Sequence, residues 1–106
     1  MRDAAFGDGD SPQPREGAIR RVLEIVNKKG LHARASAKFV QTVEKFDAEV
    51  TVTRGSETVG GTSIMGLMML SAATGTEITV EASGKQAADV MQALEELVTA
   101  GFGEED

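Results

Sequence analysis

The 106-residue chain contains no cysteine. Disulfide frameworks, thiol nucleophiles and thiolate metal sites are therefore excluded. A single histidine, His32, excludes a multi-histidine metal site within one chain. No apolar cluster approaches the roughly 20 residues needed to span a bilayer, so the chain reads as soluble. No glycine segment ends in the Gly-Lys-Ser or Gly-Lys-Thr of a Walker loop, and no serine protease triad is visible. Cations are in the minority, 11 Lys or Arg against 17 Asp or Glu, for a net charge of −6. That balance argues against nonspecific nucleic-acid binding, which needs clustered cations to displace phosphate counterions. The residues thus point to a small protein with one modest core and no large enclosed pocket, for which no metal and no cofactor are expected.

The negative charge is concentrated at the ends. Residues 1–17 hold four acids and two bases, residues 104–106 hold three acids, and the intervening ten acids and nine bases nearly cancel. The folded part is close to neutral, so a local surface on it can still accept an acidic partner. Gly7, Gly9, Ser11, Pro12, Pro14 and Gly17 mark residues 1–17 as a flexible lead. The lead lacks the basic start and continuous apolar run of a secretory signal, which makes the cytoplasm the expected location. The division expected is therefore a lead over 1–17, a domain over 18–103 and an acidic tail over 104–106.

Within the domain, Arg20 to Val26 reads as a strand, stopped by Asn27, Lys28, Lys29 and Gly30. Ala33, Ala37, Val40 and Val43 then recur at the spacing of one helix face, with His32 at the mouth of that helix. Ala48, Val50 and Val52 alternate with polar residues, and Glu57 to Thr62 pairs with them as a hairpin across Arg54, Gly55 and Ser56. Ser63 caps a helix of one or two turns through Leu70. Ile78, Val80 and Ala82 give the last strand, and Ala87, Val90, Met91, Leu94, Leu97 and Val98 form a strong amphipathic stripe between Gly84 and Gly101. The order βαββαβα predicts a two-layer α/β sandwich.

Chemistry concentrates at His32. An imidazole at a helix start faces the unpaired amides and positive end of the first turn, where an anion such as a phosphoryl group is stabilised. Arg34 offers further donors to phosphate oxygens. The competing reading is a surface or capping histidine, since His32 and Arg34 have no local carboxylate partner. Ser63 is either a simple cap or a phosphate acceptor, because added charge there would sit beside an apolar surface. The run from Ile64 to Leu70 either packs in the core or leaves Met65, Leu67 or Met68 exposed to dock a protein, with Arg34 and Lys38 steering an acidic surface toward it.

Two segments, Gly30-Leu31-His32-Ala33-Arg34 and Ser63-Ile64-Met65-Gly66-Leu67-Met68, resemble those of the histidine-containing phosphocarrier family (HPr) of the bacterial phosphotransferase system. The resemblance covers about residues 19–102 and implies an open-faced sandwich of a four-stranded antiparallel sheet and three helices. It implies a phosphoryl acceptor at His32, on Nδ1, and a phosphate-supporting arginine at Arg34. It also implies a regulatory serine at Ser63, modified by an ATP-dependent HPr kinase/phosphorylase. Lys38, Ile64, Met65, Leu67 and Met68 would contact partners. Those partners would be enzyme I, which supplies the group, and a IIA protein, which takes it. The chain would be a monomeric carrier rather than an enzyme in its own right. Ala35 stands where the family commonly has proline, leaving an extra amide in the first turn. The acidic end after Gly101-Phe102 resembles the nitrogen-related branch of the system, whereas the Ser63 segment resembles carbon-branch carriers. A different class of function, a noncatalytic interaction module using Met65 and Met68 with a structural His32, is separated from the carrier by group transfer.

Overall fold

Alternating apolar residues in the strand segments place one side chain of every pair on a common face. The computed structural model describes residues 18–104, and the expected lead over 1–17 lies outside them. Strand β1 spans Ile19–Glu24, β2 Glu49–Arg54, β3 Glu57–Gly60 and β4 Glu77–Ser83. They form one antiparallel sheet in the order β1-β4-β2-β3, with Val22 opposite Thr79 and Val52 opposite both Val80 and Val59. Val50, Val52, Ile78, Val80 and Ala82 are buried on one face. Burying each large side chain of this set stabilises the fold by roughly 1.5–3 kcal/mol.

Helices α1 (Ala33–Val43), α2 (Ile64–Met69) and α3 (Ala87–Thr99) cover that face, followed by a 3-10 turn over Gly101–Gly103. The expected order βαββαβα and the two-layer architecture are both present. β1 ends two residues before the expected Val26, yet the chain remains held, because Ile25 N–H donates to Thr76 O at 2.9 Å and Gly75 N–H donates to Ile25 O at 2.7 Å. Helix α3 buries the predicted Ala87, Val90, Met91, Leu94 and Val98, with Leu97 partly buried.

The buried face of α1 differs from the expected one. Ala35, Ser36, Phe39, Val40 and Val43 point inward, whereas Ala33 is exposed and Ala37 only half-buried. Phe39, fully buried, offers far more apolar area than either alanine and sets the rotation of the helix. Ser36 tolerates burial because its hydroxyl donates to Leu31 O at 3.2 Å. The consequence for the site is that Ala33 and Arg34, in the first turn, open to solvent.

Candidate functional site

The loop from Asn27 to His32 sets the site. Gly30 adopts φ +65, and a Cβ there would lie 2.4 Å from Ala72 O, so only glycine lets the loop pass so close to the segment after α2. Leu31 N–H donates to Ala72 O at 3.0 Å, and buried Asn27 fastens the turn from inside by donating from Nδ2 to Gly30 O at 2.9 Å. These contacts deliver His32 as the N-cap of α1, with extended backbone and Ser36 N–H bonded to its carbonyl at 2.8 Å.

Both ring nitrogens of His32 have partners. Nδ1 accepts from the Arg34 backbone N–H at 3.3 Å, while Nε2 lies against the Glu104 carboxylate. An acceptor role at Nδ1 and a carboxylate at Nε2 together assign the proton of the neutral ring to Nε2, leaving the Nδ1 lone pair directed at the first turn of α1. The ring is partly exposed, with 27% of its side chain accessible.

Glu104 is the residue that sequence reasoning missed. His32 and Arg34 lack a carboxylate nearby in the chain, but folding supplies one from 72 positions away. Placed by charge counting in an acidic tail, Glu104 instead has only 11% of its side chain exposed. Its Oε1 accepts from Asn27 Nδ2 at 3.1 Å. The hydrogen bond from His32, then that from Asn27 and the positive charges of His32 and Lys29, hold its carboxyl below the usual range and outweigh the opposing effect of burial. The sequence feature that bears on its placement is Phe102 between Gly101 and Gly103, an apolar residue between two residues that favour a tight turn. Phe102 is indeed buried, at φ 59.

Lys38 does not present a free head group to a partner. It is partly buried, and its Nζ donates to Phe102 O at 2.6 Å, so its work is to hold the turn that carries Glu104. Arg34 differs: it is exposed, and its guanidinium has no hydrogen bond or ion pair among the described residues. Lys29, His32, Arg34, Lys38 and Glu104 line a solvent-open cleft of about 570 Å³. Three cations around a partly exposed imidazole and a helix N-terminus suit a small, highly charged anion. The described residues contain no group of three or more His, Cys, Asp or Glu arranged to hold a metal ion.

Helix α2 packs beside α1 and begins at Ser63, whose Oγ accepts from Gly66 N–H at 2.9 Å, as expected of a cap. Ser63 is exposed, and so are Ile64, Met65 and Met68. Leu67 is not a docking residue: it is fully buried, because one face of this short helix must meet the core and Leu67 and Leu70 occupy it. Met69, 69% exposed, joins the outward ridge instead. The segment is thus both core and surface, split by the helical turn.

Residues 19–100 match the family described as "PTS HPr component phosphorylation site". The phosphocarrier protein HPr of Neisseria meningitidis is 52% identical over 86 residues, covering 81% of this chain and 97% of the relative. The phosphocarrier protein NPr of Shewanella violacea is 38% identical, covering 81% of this chain and 94% of the relative. Among solved structures, HPr-C-His from Thermoanaerobacter tengcongensis superposes with a TM-score of 0.79 at 39% identity, covering 83% of this chain and 99% of that one.

Proposed function

Since the chain belongs to the HPr family of phosphocarrier proteins of the phosphotransferase system, we propose that its acceptor atom is His32 Nδ1, loaded by phosphorylated enzyme I and unloaded onto a histidine of an enzyme IIA protein. The observation that carries this reading is the pair of contacts on the ring. With Nε2 against Glu104, Nδ1 keeps its lone pair and points it at the open first turn of α1.

Loading forms a P–N bond at Nδ1 as the P–N bond to the donor histidine breaks, its electron pair returning to the donor nitrogen. The incoming phosphoryl oxygens meet the first-turn amides, the helix dipole and the unengaged Arg34 guanidinium. Such a site must not hold the group too tightly, because a deep well would slow release. A partly exposed ring in an open cleft suits that requirement.

The ridge of Ile64, Met65, Met68 and Met69 is the surface on which enzyme I and the IIA protein dock in turn, since flexible thioethers adapt to more than one apolar partner. Ser63, at its edge, is the position an HPr kinase/phosphorylase would modify. A phosphate there would keep a favourable place at the start of α2 and oppose docking by charge and desolvation, with no backbone movement required. The acting species is a monomer located in the cytoplasm.

The deciding experiment incubates the protein with phosphoenolpyruvate and enzyme I and follows intact mass with and without acid treatment. One acid-labile phosphate that depends on enzyme I and is lost in His32→Ala is the expected result. Stoichiometric labelling of folded His32→Ala would defeat the assignment. No labelling of the wild-type chain by active enzyme I would favour the noncatalytic interaction module built on the methionine ridge.

A further inference from the structure

Three contacts that do not involve the ring aim Glu104 at it. Phe102, 1% exposed, anchors the 3-10 turn in the core. Lys38 Nζ holds the Phe102 carbonyl at 2.6 Å, and Asn27, 3% exposed, donates to Glu104 Oε1 at 3.1 Å. With Oε1 occupied, Oε2 is left for His32 Nε2. We infer that Glu104 is a positioning residue that keeps one proton on His32 Nε2 through both loading and release, so that neither half of the transfer requires a proton to move. The inference rests on the phosphocarrier reading above.

The electron balance shows what this accomplishes. Neutral His32 gives the Nδ1 lone pair to phosphorus while retaining its Nε2 proton, so the loaded ring is an N-phosphoimidazolium with positive charge spread over both nitrogens. That charge faces the Glu104 carboxylate. On release the P–Nδ1 electron pair returns to Nδ1, and the departing group is a neutral imidazole still protonated on Nε2. If the loaded ring lost its proton to solvent, the departing group would be an imidazolate, a much poorer leaving group.

Lys29, Arg34 and Lys38 line the same cleft, where their positive charges favour phosphoryl oxygens and leave the charge of the loaded ring to be balanced by another group. Glu104 is the only acid lining the cleft among the described residues. Its carboxyl, held below the usual range, stays ionised wherever the carrier would work.

The test uses the intact chain and two substitutions. Glu104→Ala removes hydrogen bond and charge, whereas Glu104→Gln keeps an acceptor but removes the charge. The first readout is the 15N NMR spectrum of the His32 ring at neutral pH, which requires no partner. The wild type and Glu104→Gln are expected to show one tautomer, with Nδ1 unprotonated, and Glu104→Ala to move both signals toward a tautomer average. Identical spectra for the wild type and Glu104→Ala would overturn the inference. The second readout is release of the phosphoryl group from loaded His32 to a IIA protein as a function of pH. Release from Glu104→Ala is expected to be about tenfold slower at mildly alkaline pH, a barrier increase of about 1.4 kcal/mol. The deficit should shrink toward acidic pH, where solvent supplies the proton. Glu104→Gln should share the alkaline deficit. A deficit that does not change with pH would mark Glu104 as merely structural and overturn the inference. Failure of the wild-type chain to load would instead overturn the phosphocarrier reading, while the 15N spectrum would still report the hold of Glu104 on the ring.

Discussion

Replacing Gly30 with alanine perturbs the one loop position where backbone conformation and close contact coincide. At φ +65 the added Cβ imposes a left-handed penalty of roughly 1–2 kcal/mol on an L-residue. It would also lie 2.4 Å from Ala72 O and 3.0 Å from Ala73 Cα, both backbone atoms that no rotamer change can move. Relieving that overlap displaces the loop and breaks the Leu31 N–H bond to Ala72 O, for about another 1 kcal/mol. The total is about 2–3 kcal/mol, a large share of the roughly 5–15 kcal/mol that stabilises a typical domain. Gly55→Ala is the control, because its φ is +62 but nothing lies within 4 Å of the new Cβ. Only the backbone penalty remains there. Urea unfolding at matched m-values, together with melting temperature, should show Gly30→Ala lower by roughly 10 °C or more and Gly55→Ala by clearly less. Equal losses in the two variants would refute the claim that contact with the Ala72 segment, rather than φ alone, demands glycine before His32.

Along α2, Leu67→Ala should destabilise the fold by about 2–5 kcal/mol in chemical unfolding, whereas Met65→Ala should leave stability nearly unchanged and weaken enzyme I binding in calorimetry. The reverse pattern would refute the division of that helix into a buried and a docking side. Arg34→Ala should slow loading of His32 by about tenfold with an unchanged melting temperature, and unchanged single-turnover kinetics would remove Arg34 from the site. The Glu104 carboxyl titrates below its ordinary value of 4.5 in the folded chain, so its contacts contribute stability above that pH and lose it as pH falls through the lower folded value. Wild type should therefore exceed Glu104→Gln in stability at neutral pH, with the difference vanishing in strong acid. A difference that grows on acidification would contradict that assignment.

Local patterns were legible in the sequence, and long-range ones were not. The α3 stripe from Ala87 to Val98 was readable because a single helix face repeats with the helix period, and His32 with Arg34 because both lie in one turn. Leu67 was not separable from Met65 and Met68, since a helix of six almost uniformly apolar residues carries no periodic signal. Ala33 and Ala37 suggested a face that Phe39 overruled, because one aromatic outweighs two alanines in buried area. Strand order was illegible for a different reason: alternation states which side chains face inward and is silent about which strand lies alongside. Glu104 stayed hidden because 72 residues separate it from His32 and no residue type marks the pairing.

The order β1-β4-β2-β3 gives this chain a schedule as well as a shape. β1 leaves the ribosome first, yet its only neighbour is β4, which begins at Glu77. At roughly 5–20 residues per second, the 72 positions between His32 and Glu104 take about 4–14 s to synthesise. Until the end of that interval the histidine exists without the carboxylate that will orient its ring, and for the first part of it, until β4 is made, without a complete sheet. A half-made chain therefore carries its histidine before the contacts that aim its ring, and the site is completed late.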